Sequence, residues 1–552
     1  MKKSKAINLL DLLVSLSLGA LVIIFILLPF LSVFKESFFV DGNFDLGYYR
    51  EIFARKTLIA NTFKMGILTT LLAALSSSCV AIFYFFAGRK TKAFIIAILS
   101  ITLISPPFVS SLSYISLFGR RGLITYRLLG LNLYPYGMWG VVLMQVLSDL
   151  SLNSLLLIGF LQGLDRNVLN SARSLGAKTD NIIVDLIFPA MKNSLIAVML
   201  LSFFRSISDF GTPAIIGGRF TVLSLESYFE VIANGNLAKA AAMNVVILLP
   251  TLLIFLIFSK DLSSTNMAQY KRGAREEVDL QRSGFFYYTI STLAIFFILW
   301  ILSLYGSIIL NAFTKMKKGN LVFTLDNFRE TKFFIGDVVF RSIGYSLVSA
   351  LGGSLLGLLI GYYLIIRKER FMKFIDLVAN LPYIIPGTFF GLGYLLFFRS
   401  PPIAITGTSA IVILNVLFKQ LPFSTRVQNA AMKDVDKNTL NSIRDLGGSY
   451  FNEVVDGVLP MTKNAIRVTM INAFTTTMTT VGTIIFLVYP GKKLLTLVMF
   501  DVIQSGKYNV GSVIAFYIIL ICLAFNILLR LLMGDLTFKK KYPRRENNVS
   551  AN

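Results

Sequence analysis

Long runs of apolar residues, separated by short polar and charged stretches, set the pattern of this chain. The runs are roughly 18 to 28 residues long, the length a helix needs to cross about 30 Å of hydrocarbon at about 1.5 Å per residue. Twelve spans are expected. In the first half they lie near 12–34, 61–87, 93–118, 138–162, 192–216 and 239–258, and in the second near 285–312, 342–366, 373–398, 408–430, 464–489 and 508–533. The first run, Leu12 to Val33, follows Lys2, Lys3 and Lys5 as a signal peptide would. It is long, and no small-residue cleavage site follows, so it reads as a retained helix. The expected fold is all-α, a polytopic membrane protein of about twelve transmembrane helices.

The polar stretches give an orientation. Basic clusters occur at the N-terminus, at Arg89, Lys90 and Lys92, across 166–192, in the linker (Lys260, Lys271, Arg272, Arg275, Arg282), at Arg367, Lys368 and Arg370, across 433–444, and at Lys539 to Arg545. With twelve crossings and the N-terminus inside, all of these fall on the cytoplasmic side, as the positive-inside rule requires. Both termini are therefore expected in the cytoplasm. The opposite loops depart from the rule at Arg120, Arg121, Arg127, Lys315, Lys317 and Lys318.

Composition agrees with a membrane location. The 552-residue chain is 55% hydrophobic and 15% charged, with mean hydropathy +0.71, more apolar surface than a soluble protein hides. The formal charge of +24 is spread over loop ends and not gathered on one face, so no nucleic-acid partner is implied. The absence of His excludes a His base or a His-ligated metal, and no catalytic or metal site is expected. Cys79 and Cys522 both fall inside apolar runs and read as small core residues.

The chain repeats itself. Residues 164–194 align with 435–465 at a constant offset of 271, with fourteen of 31 positions identical. The identities include Asn170/Asn441, Ser171/Ser442, Arg173/Arg444, Gly176/Gly447, Pro189/Pro460 and Asn193/Asn464. The offset continues to Phe203/Phe474 and Gly211-Thr212/Gly482-Thr483. Upstream it becomes 280, pairing Pro106 with Pro386 and Tyr114 with Tyr394. The loop between third and fourth spans is thus nine residues shorter in the second half. Identities concentrated in polar loop residues mark a duplication. The expected organisation is a first six-helix half over 1–258, a cytoplasmic linker over 259–284, a second six-helix half over 285–534, and a basic cytoplasmic tail over 535–552. The repeated loops occupy 164–190 and 435–461. In each, Asn170-Ser171 is expected to begin a short helix and Leu175-Gly176 to end it, with a second helix running to Pro189, where the chain turns back into the membrane.

This loop resembles the EAA loop of the permeases of ATP-binding-cassette (ABC) importers: Glu-Ala-Ala, three residues, Gly, nine residues, Ile-x-Leu-Pro. The first copy fits as Asn170-Ser171-Ala172, Gly176 and Leu186 to Pro189, and the second as Asn441-Ser442-Ile443, Gly447 and Gly457 to Pro460. The family's glutamate is Asn in both. The resemblance covers nearly the whole chain as two tandem permease domains. It implies that Asn170, Ser171, Ala172, Gly176, Pro189, Asn441, Ser442, Gly447 and Pro460 couple the chain to two copies of a cytoplasmic ATPase. It also implies an extracytoplasmic binding protein that delivers substrate, and a bacterial inner or plasma membrane location. No Gly-x-x-x-x-Gly-Lys-Ser/Thr phosphate loop occurs here, so ATP and Mg are expected on the partner subunits, with no cofactor and no enzymatic activity in this chain.

Charges at membrane depth point to the path. Arg205 and Asp209 lie four apart on one helix face, as a lining of the path or as an internal pair that fixes packing. Thr476 and Thr480 take the equivalent positions in the second half. Asp149, Lys419 and Gln420 are further candidates. Pro106-Pro107 and Pro386-Gly387, with Gly391 and Gly393, break or loosen their spans, as gates or as packing devices. Residues 118–131, 208–218 and 382–394 resemble the fused permeases of ferric-iron importers, and permeases for aminoalkylphosphonates, thiamine and polyamines carry similar wording. The resemblance implies ferric iron as cargo. An ion-driven secondary transporter also predicts repeated halves, but gives no reason for two matched cytoplasmic loops.

Overall fold

A computed structural model describes residues 2–40, 42–106, 108–132, 134–264, 282–317, 320–489 and 491–534. The basic tail expected over 535–552, linker residues 265–281 and Pro107 lie outside the described residues. Among those described, nine helices are long and apolar enough to cross a membrane, and two bent pairs bring the number to eleven. In hydrocarbon a helix satisfies its own backbone donors and acceptors, which is why uninterrupted apolar runs fold this way.

The first half contains α1 (Asp11–Phe38), α2 (Lys56–Phe86), the bent pair α3 (Arg89–Ile104) and α4 (Phe108–Phe118), α5 (Met138–Gln162), the short α6 (Arg166–Ser174), α7 (Thr179–Ser208) and α8 (Leu237–Ile254). The second contains α9 (Phe285–Phe313), α10 (Val338–Ile366), the bent pair α11 (Arg370–Asn380) and α12 (Gly387–Phe398), α13 (Ser409–Lys433), the short α14 (Lys437–Asp445), α15 (Lys463–Thr479), α16 (Leu495–Gln504) and α17 (Tyr508–Met533). Two antiparallel hairpins of short strands, at residues 39–44 and 314–323, follow α1 and α9.

The third and ninth spans bend by 105° and 116°. Each bend falls at a proline, which removes a backbone donor and disfavours helix in the residue before it. The eleventh span is shorter than its expected range of 464–489. Its helix ends at Thr479, and Thr480 is extended. Thr475, Thr476, Thr477, Thr479 and Thr480 precede Val481-Gly482, a run of weak helix formers. For the same reason the fifth span stops at Ser208, and a separate short helix covers Gly211–Ile216.

Packing does not follow the sequence boundary between halves. Helix α9, the first of the second half, lies against α2 and α4 of the first. Its Tyr287, Ile290, Ala294, Ile298, Ile301 and Leu304 belong to the first half's core. Helix α1 lies against α12 of the second half and α8 of its own, and Leu18, Val22, Ile26 and Val33 join a core made mostly of second-half residues. Gly393 permits the close crossing of α12 on α1, since a Cβ there would lie 2.6 Å from the Pro29 carbonyl oxygen. A π-helical turn at Ile23–Leu27 loosens α1 nearby, and Tyr394 donates its hydroxyl proton to the Phe25 carbonyl at 2.7 Å. Phe25 also stacks on Phe418 at 4.9 Å. The expected halves 1–258 and 285–534 are therefore not separate packed bundles, because α1 and α9 each pack on the other half as well as on their own. Cys79 and Cys522 are buried and free.

Candidate coupling loops and membrane path

The two repeated loops fold alike. Helix α6 is capped by Asp165, whose carboxylate accepts the Asn167 N–H at 2.9 Å. Helix α14 is capped by Asp436, which accepts the Asn438 N–H at 3.0 Å. The helices thus begin four or five residues earlier than Asn170-Ser171 and Asn441-Ser442, because a carboxylate one residue ahead of each helix already satisfies an N-terminal donor. Both end at glycines with left-handed backbone, Gly176 at φ +83° and Gly447 at φ +84°, a conformation that L side chains adopt only with strain.

Burial sorts the residues of each loop. Leu169 and Leu440 are buried, while Asn170, Ser171, Asn441 and Ser442 are exposed and Ala172 is half-buried. Leu175 is 88% exposed and Leu446 89%. Two leucines offset by 271 and held almost wholly in solvent are a matched apolar feature of the loop tips, which the glycine–proline spacing alone does not flag.

The chain does not turn back at Pro189, which lies inside the continuous helix Thr179–Ser208, while after Pro460 the helix is interrupted at Thr462. Each proline sits in the first turn after a six-residue π-helix, Ile182–Ile187 and Glu453–Val458. The widened turn leaves the proline's missing N–H without consequence, so the first loop runs straight on into α7. In the second loop, Arg444 makes a bidentate pair with Glu453 at 2.7 and 2.8 Å. Hydrogen bonding to this carboxylate raises the Arg444 pKa above its ordinary value, against the opposing effect of burial. At the position of Glu453 the first loop has Ile182, which is buried.

Each loop also touches the helix exchanged from the other half. Asp180 accepts the N–H groups of Phe286 and Tyr287 at 3.1 and 3.3 Å, at the start of α9. Gly284 sits so close that a Cβ would lie 2.3 Å from the Asp180 carboxylate. In the second half Arg367 lies 4.0 Å over the Tyr450 ring and pairs with Asp11 of α1. Asp11 also accepts the Tyr363 hydroxyl at 2.8 Å.

At membrane depth Arg205 and Asp209 do not pair with each other, so of the two readings the internal pair between them is not formed. Arg205 reaches across to Asp149 on α5 at 3.2 Å, with side chains 48% and 5% exposed. Asp209 turns the other way, because α7 ends at Ser208 and the helical i, i+4 relation is lost. It accepts the N–H groups of Gly211 and Thr212 at 2.9 and 3.2 Å, and the amide of Gln145 at 3.0 Å. Gln145 accepts Thr69 and Ser206 at 3.0 and 2.6 Å, so one buried amide ties α2, α5 and α7 together. Pro106 and Pro386 are buried at the two bends.

The second half is built differently. Lys419 donates to the carbonyls of Pro382 and Ile385 at 2.7 and 2.6 Å, supplying the donors that the bend before α12 withdraws. Thr476 bonds back to the Asn472 carbonyl at 2.5 Å, and Thr480 pairs with Thr483 at 3.1 Å. The segment after α15 packs on α12, where a Cβ at Gly391 would lie 2.4 Å from the Thr483 carbonyl oxygen.

Comparison with known proteins fits this arrangement. Residues 353–537 match the family described as binding-protein-dependent transport system inner membrane component. The ferric transport system permease protein FbpB of Actinobacillus pleuropneumoniae is 26% identical over 548 residues, 96% of this chain and 79% of that protein. The putative ferric transport system permease protein FbpB 1 of Haemophilus influenzae is 27% identical over 488 residues, covering 85% and 76%. Over nearly its whole length the chain is similar to ABC-transporter permeases, and its second half carries their inner-membrane domain. A single-length relative, the putative 2-aminoethylphosphonate transport system permease protein PhnU of Salmonella typhi, is 24% identical over 238 residues, 41% of this chain and 82% of that protein. Those relatives are transporters rather than enzymes, and the matched family is an inner-membrane component of binding-protein-dependent systems, in keeping with the apolar helices of this chain.

Asp149 was within reach of sequence reasoning as an acid in an apolar run. Its partner was not, because an ion pair between helices leaves no spacing signal. Gln145, Asp180 and Asp11 were missed, since their roles depend on which helices meet.

Proposed function

We propose that this permease supplies both transmembrane halves of an ATP-driven importer for ferric iron, each coupling loop docking in one of two ATPase subunits. The observation that carries the reading is the duplicated loop: same offset, same aspartate cap, same left-handed glycine, same exposed leucine. Two equivalent docking elements on one chain call for two equivalent clefts. Orientation follows from the basic clusters, with loops and termini in the cytoplasm. ATP and Mg belong to the ATPase subunits, and closure of their dimer draws α6 and α14 together. The halves then rock to an outward-open state, and hydrolysis resets them.

For the cargo, the support is the relatives that span most of the chain, whose names specify ferric transport. The path residues Arg205, Asp209, Thr476 and Thr480, the bends at Pro106 and Pro386, and Asp149 are read as its lining and gates. The path need not bind iron tightly, since a binding protein holds the cargo before delivery. The similarity to a 2-aminoethylphosphonate permease over 41% of the chain favours a phosphonate as the second reading.

The test is reconstitution in vesicles with the partner ATPase and binding protein. Iron-loaded binding protein is expected to stimulate ATP hydrolysis and drive iron uptake, and replacing Gly176 and Gly447 by leucine is expected to leave hydrolysis running while uptake falls. Uptake without an ATPase would overturn the importer reading. Stimulation by a phosphonate-loaded protein and not by the iron-loaded one would replace the cargo.

A further inference from the structure

Five cationic residues that depart from the positive-inside rule, Arg120, Arg121, Arg127, Lys315 and Lys317, lie in two neighbouring segments. Between α4 and α5 the chain folds into a compact loop over residues 119–137, containing a π-helical turn at Leu123–Leu128. Thr125 bonds the Gly119 carbonyl at 3.1 Å, Tyr114 bonds the Pro135 carbonyl at 2.8 Å, and the Gly137 N–H reaches Ile216 at 3.0 Å. The loop is thereby anchored to the segment that follows Asp209. It belongs to the longer of the two loops joining third and fourth spans, so the second half has no full counterpart.

The loop forms an open pocket of about 430 Å³ lined by Arg120, Arg121, Tyr126, Asn132 and Tyr134. Arg120 lies 5.1 Å over the Tyr134 ring, which fixes the guanidinium without neutralising it. Residues 118–137 hold three arginines and no acid, and 314–323, in the hairpin after α9, hold three lysines and no acid. The two segments meet where Arg127 contacts the Met316 sulfur. No ion pair joins Arg120, Arg121, Arg127, Lys315 or Lys317 to a carboxylate among the described residues. Around the pocket Tyr126, Leu128, Leu129 and Tyr134 are exposed, the mix of arginine, aromatic and aliphatic side chains that protein interfaces favour.

We propose that this pocket and the lysine hairpin beside it form the docking site for acidic side chains of the extracytoplasmic binding protein. The inference rests on the importer reading, which supplies both the partner and the side of the membrane. Two observations favour that partner over anionic lipid. The site is a concave pocket on a structured loop, and its cations come from both halves, next to a loop anchored to the path. A protein delivering cargo to the path must sit there, whereas a lipid headgroup needs neither the pocket nor the second half. Unpaired arginines in a pocket suit carboxylates, which accept two parallel N–H bonds from each guanidinium.

The experiment uses the full permease–ATPase complex in vesicles, titrated with substrate-loaded binding protein of the same system. Hydrolysis is read as the ratio of stimulated to basal rate. Arg120→Glu with Arg121→Glu is expected to raise the half-stimulating concentration about tenfold or more, and Arg120→Gln with Arg121→Gln by less, with a weaker salt dependence. Lys315→Glu with Lys317→Glu is expected to act in the same direction from the other half. An unchanged half-stimulating concentration in vesicle-assembled variants would overturn the proposal. So would an effect of the arginine variants that vanishes when anionic lipid is omitted, since the site would then serve the membrane. Failure of the unaltered complex to respond to any binding protein would instead remove the importer reading itself.

Discussion

Arg444 and Arg173 occupy the same place in the two coupling loops, yet their truncation is expected to have very different consequences. Arg444 makes two hydrogen bonds of 2.7 and 2.8 Å to Glu453, whose side chain is fully buried. Arg444→Ala strands that carboxylate, and leaving one partner of a buried pair costs about 3–5 kcal/mol. Arg444 is itself 38% exposed, so water enters the vacated space, and we place the loss at about 2–3 kcal/mol. At about 1.4 kcal/mol per tenfold, amide exchange through local opening of residues 437–458 should accelerate by about 30- to 150-fold. Arg173 faces no such group, because Ile182 stands at the position of Glu453. Arg173→Ala should change exchange over 166–187 by less than about threefold, as a surface substitution of about 0.5 kcal/mol or below. Hydrogen–deuterium exchange with mass spectrometry on the purified permease reads both segments at once. A second substitution, Glu453→Ile, gives the second loop the first loop's apolar residue and should remove most of the Arg444→Ala effect. Equal acceleration in the two loops, or no rescue by Glu453→Ile, would refute the reasoning.

Two further outcomes are expected. Gly391→Ala would push a Cβ to 2.4 Å from the Thr483 carbonyl oxygen, a backbone atom that cannot rotate away. It should destabilise by about 1–3 kcal/mol and lower the thermal midpoint, while Gly306→Ala, with nothing within 4 Å, should not. For the Arg205–Asp149 pair, Arg205→Met or Asp149→Leu alone should reduce import about tenfold or more by stranding a charge at membrane depth. The double substitution should restore assembly but not import if the pair lines the path, and full recovery of import would show that it only holds helices together.

How much of this was legible beforehand follows the range of the interactions. Apolar run length located most spans, because the membrane imposes it on each segment separately. Gly176 and Gly447 were legible as helix ends because a left-handed cap selects glycine locally. The starts of α6 and α14 were misread, since Asn-Ser and Asp are both good caps and only the repeated Asp165/Asp436 bonds decide between them. Pro189 and Pro460 suggested turns, but a π-helical turn before each absorbs the missing donor. Arg205 was legible as a polar residue in an apolar run. Its assignment to Asp209 failed because the helix stops between them, and an i, i+4 rule holds only inside a helix. The exchange of α1 and α9 left no local trace, since a lipid-compatible face is apolar whichever bundle it meets.

On the proposed coupling, the packing of α1 and α9 across the halves gives the repeated loops a mechanical meaning. The first loop holds the start of α9 through Asp180, and α9 packs in the first half's core although it opens the second half of the sequence. The second loop reaches α1 through Tyr450, Arg367 and Asp11, and α1 packs in the second half's core. Each loop therefore grips its own bundle and, through the exchanged helix, the chain that leads into the other. The chemistry differs: a carboxylate on a helix N-terminus in one half, a cation–π contact and an ion pair in the other. On the proposed coupling, a symmetric push from two ATPase subunits would meet unequal linkages, just as the spans hold an Asp149–Arg205 pair in one half and Lys419 on freed carbonyls in the other. The duplicated frame is what two docking sites would require, and on that reading the divergence inside it falls where a single path shared by both halves would need no symmetry.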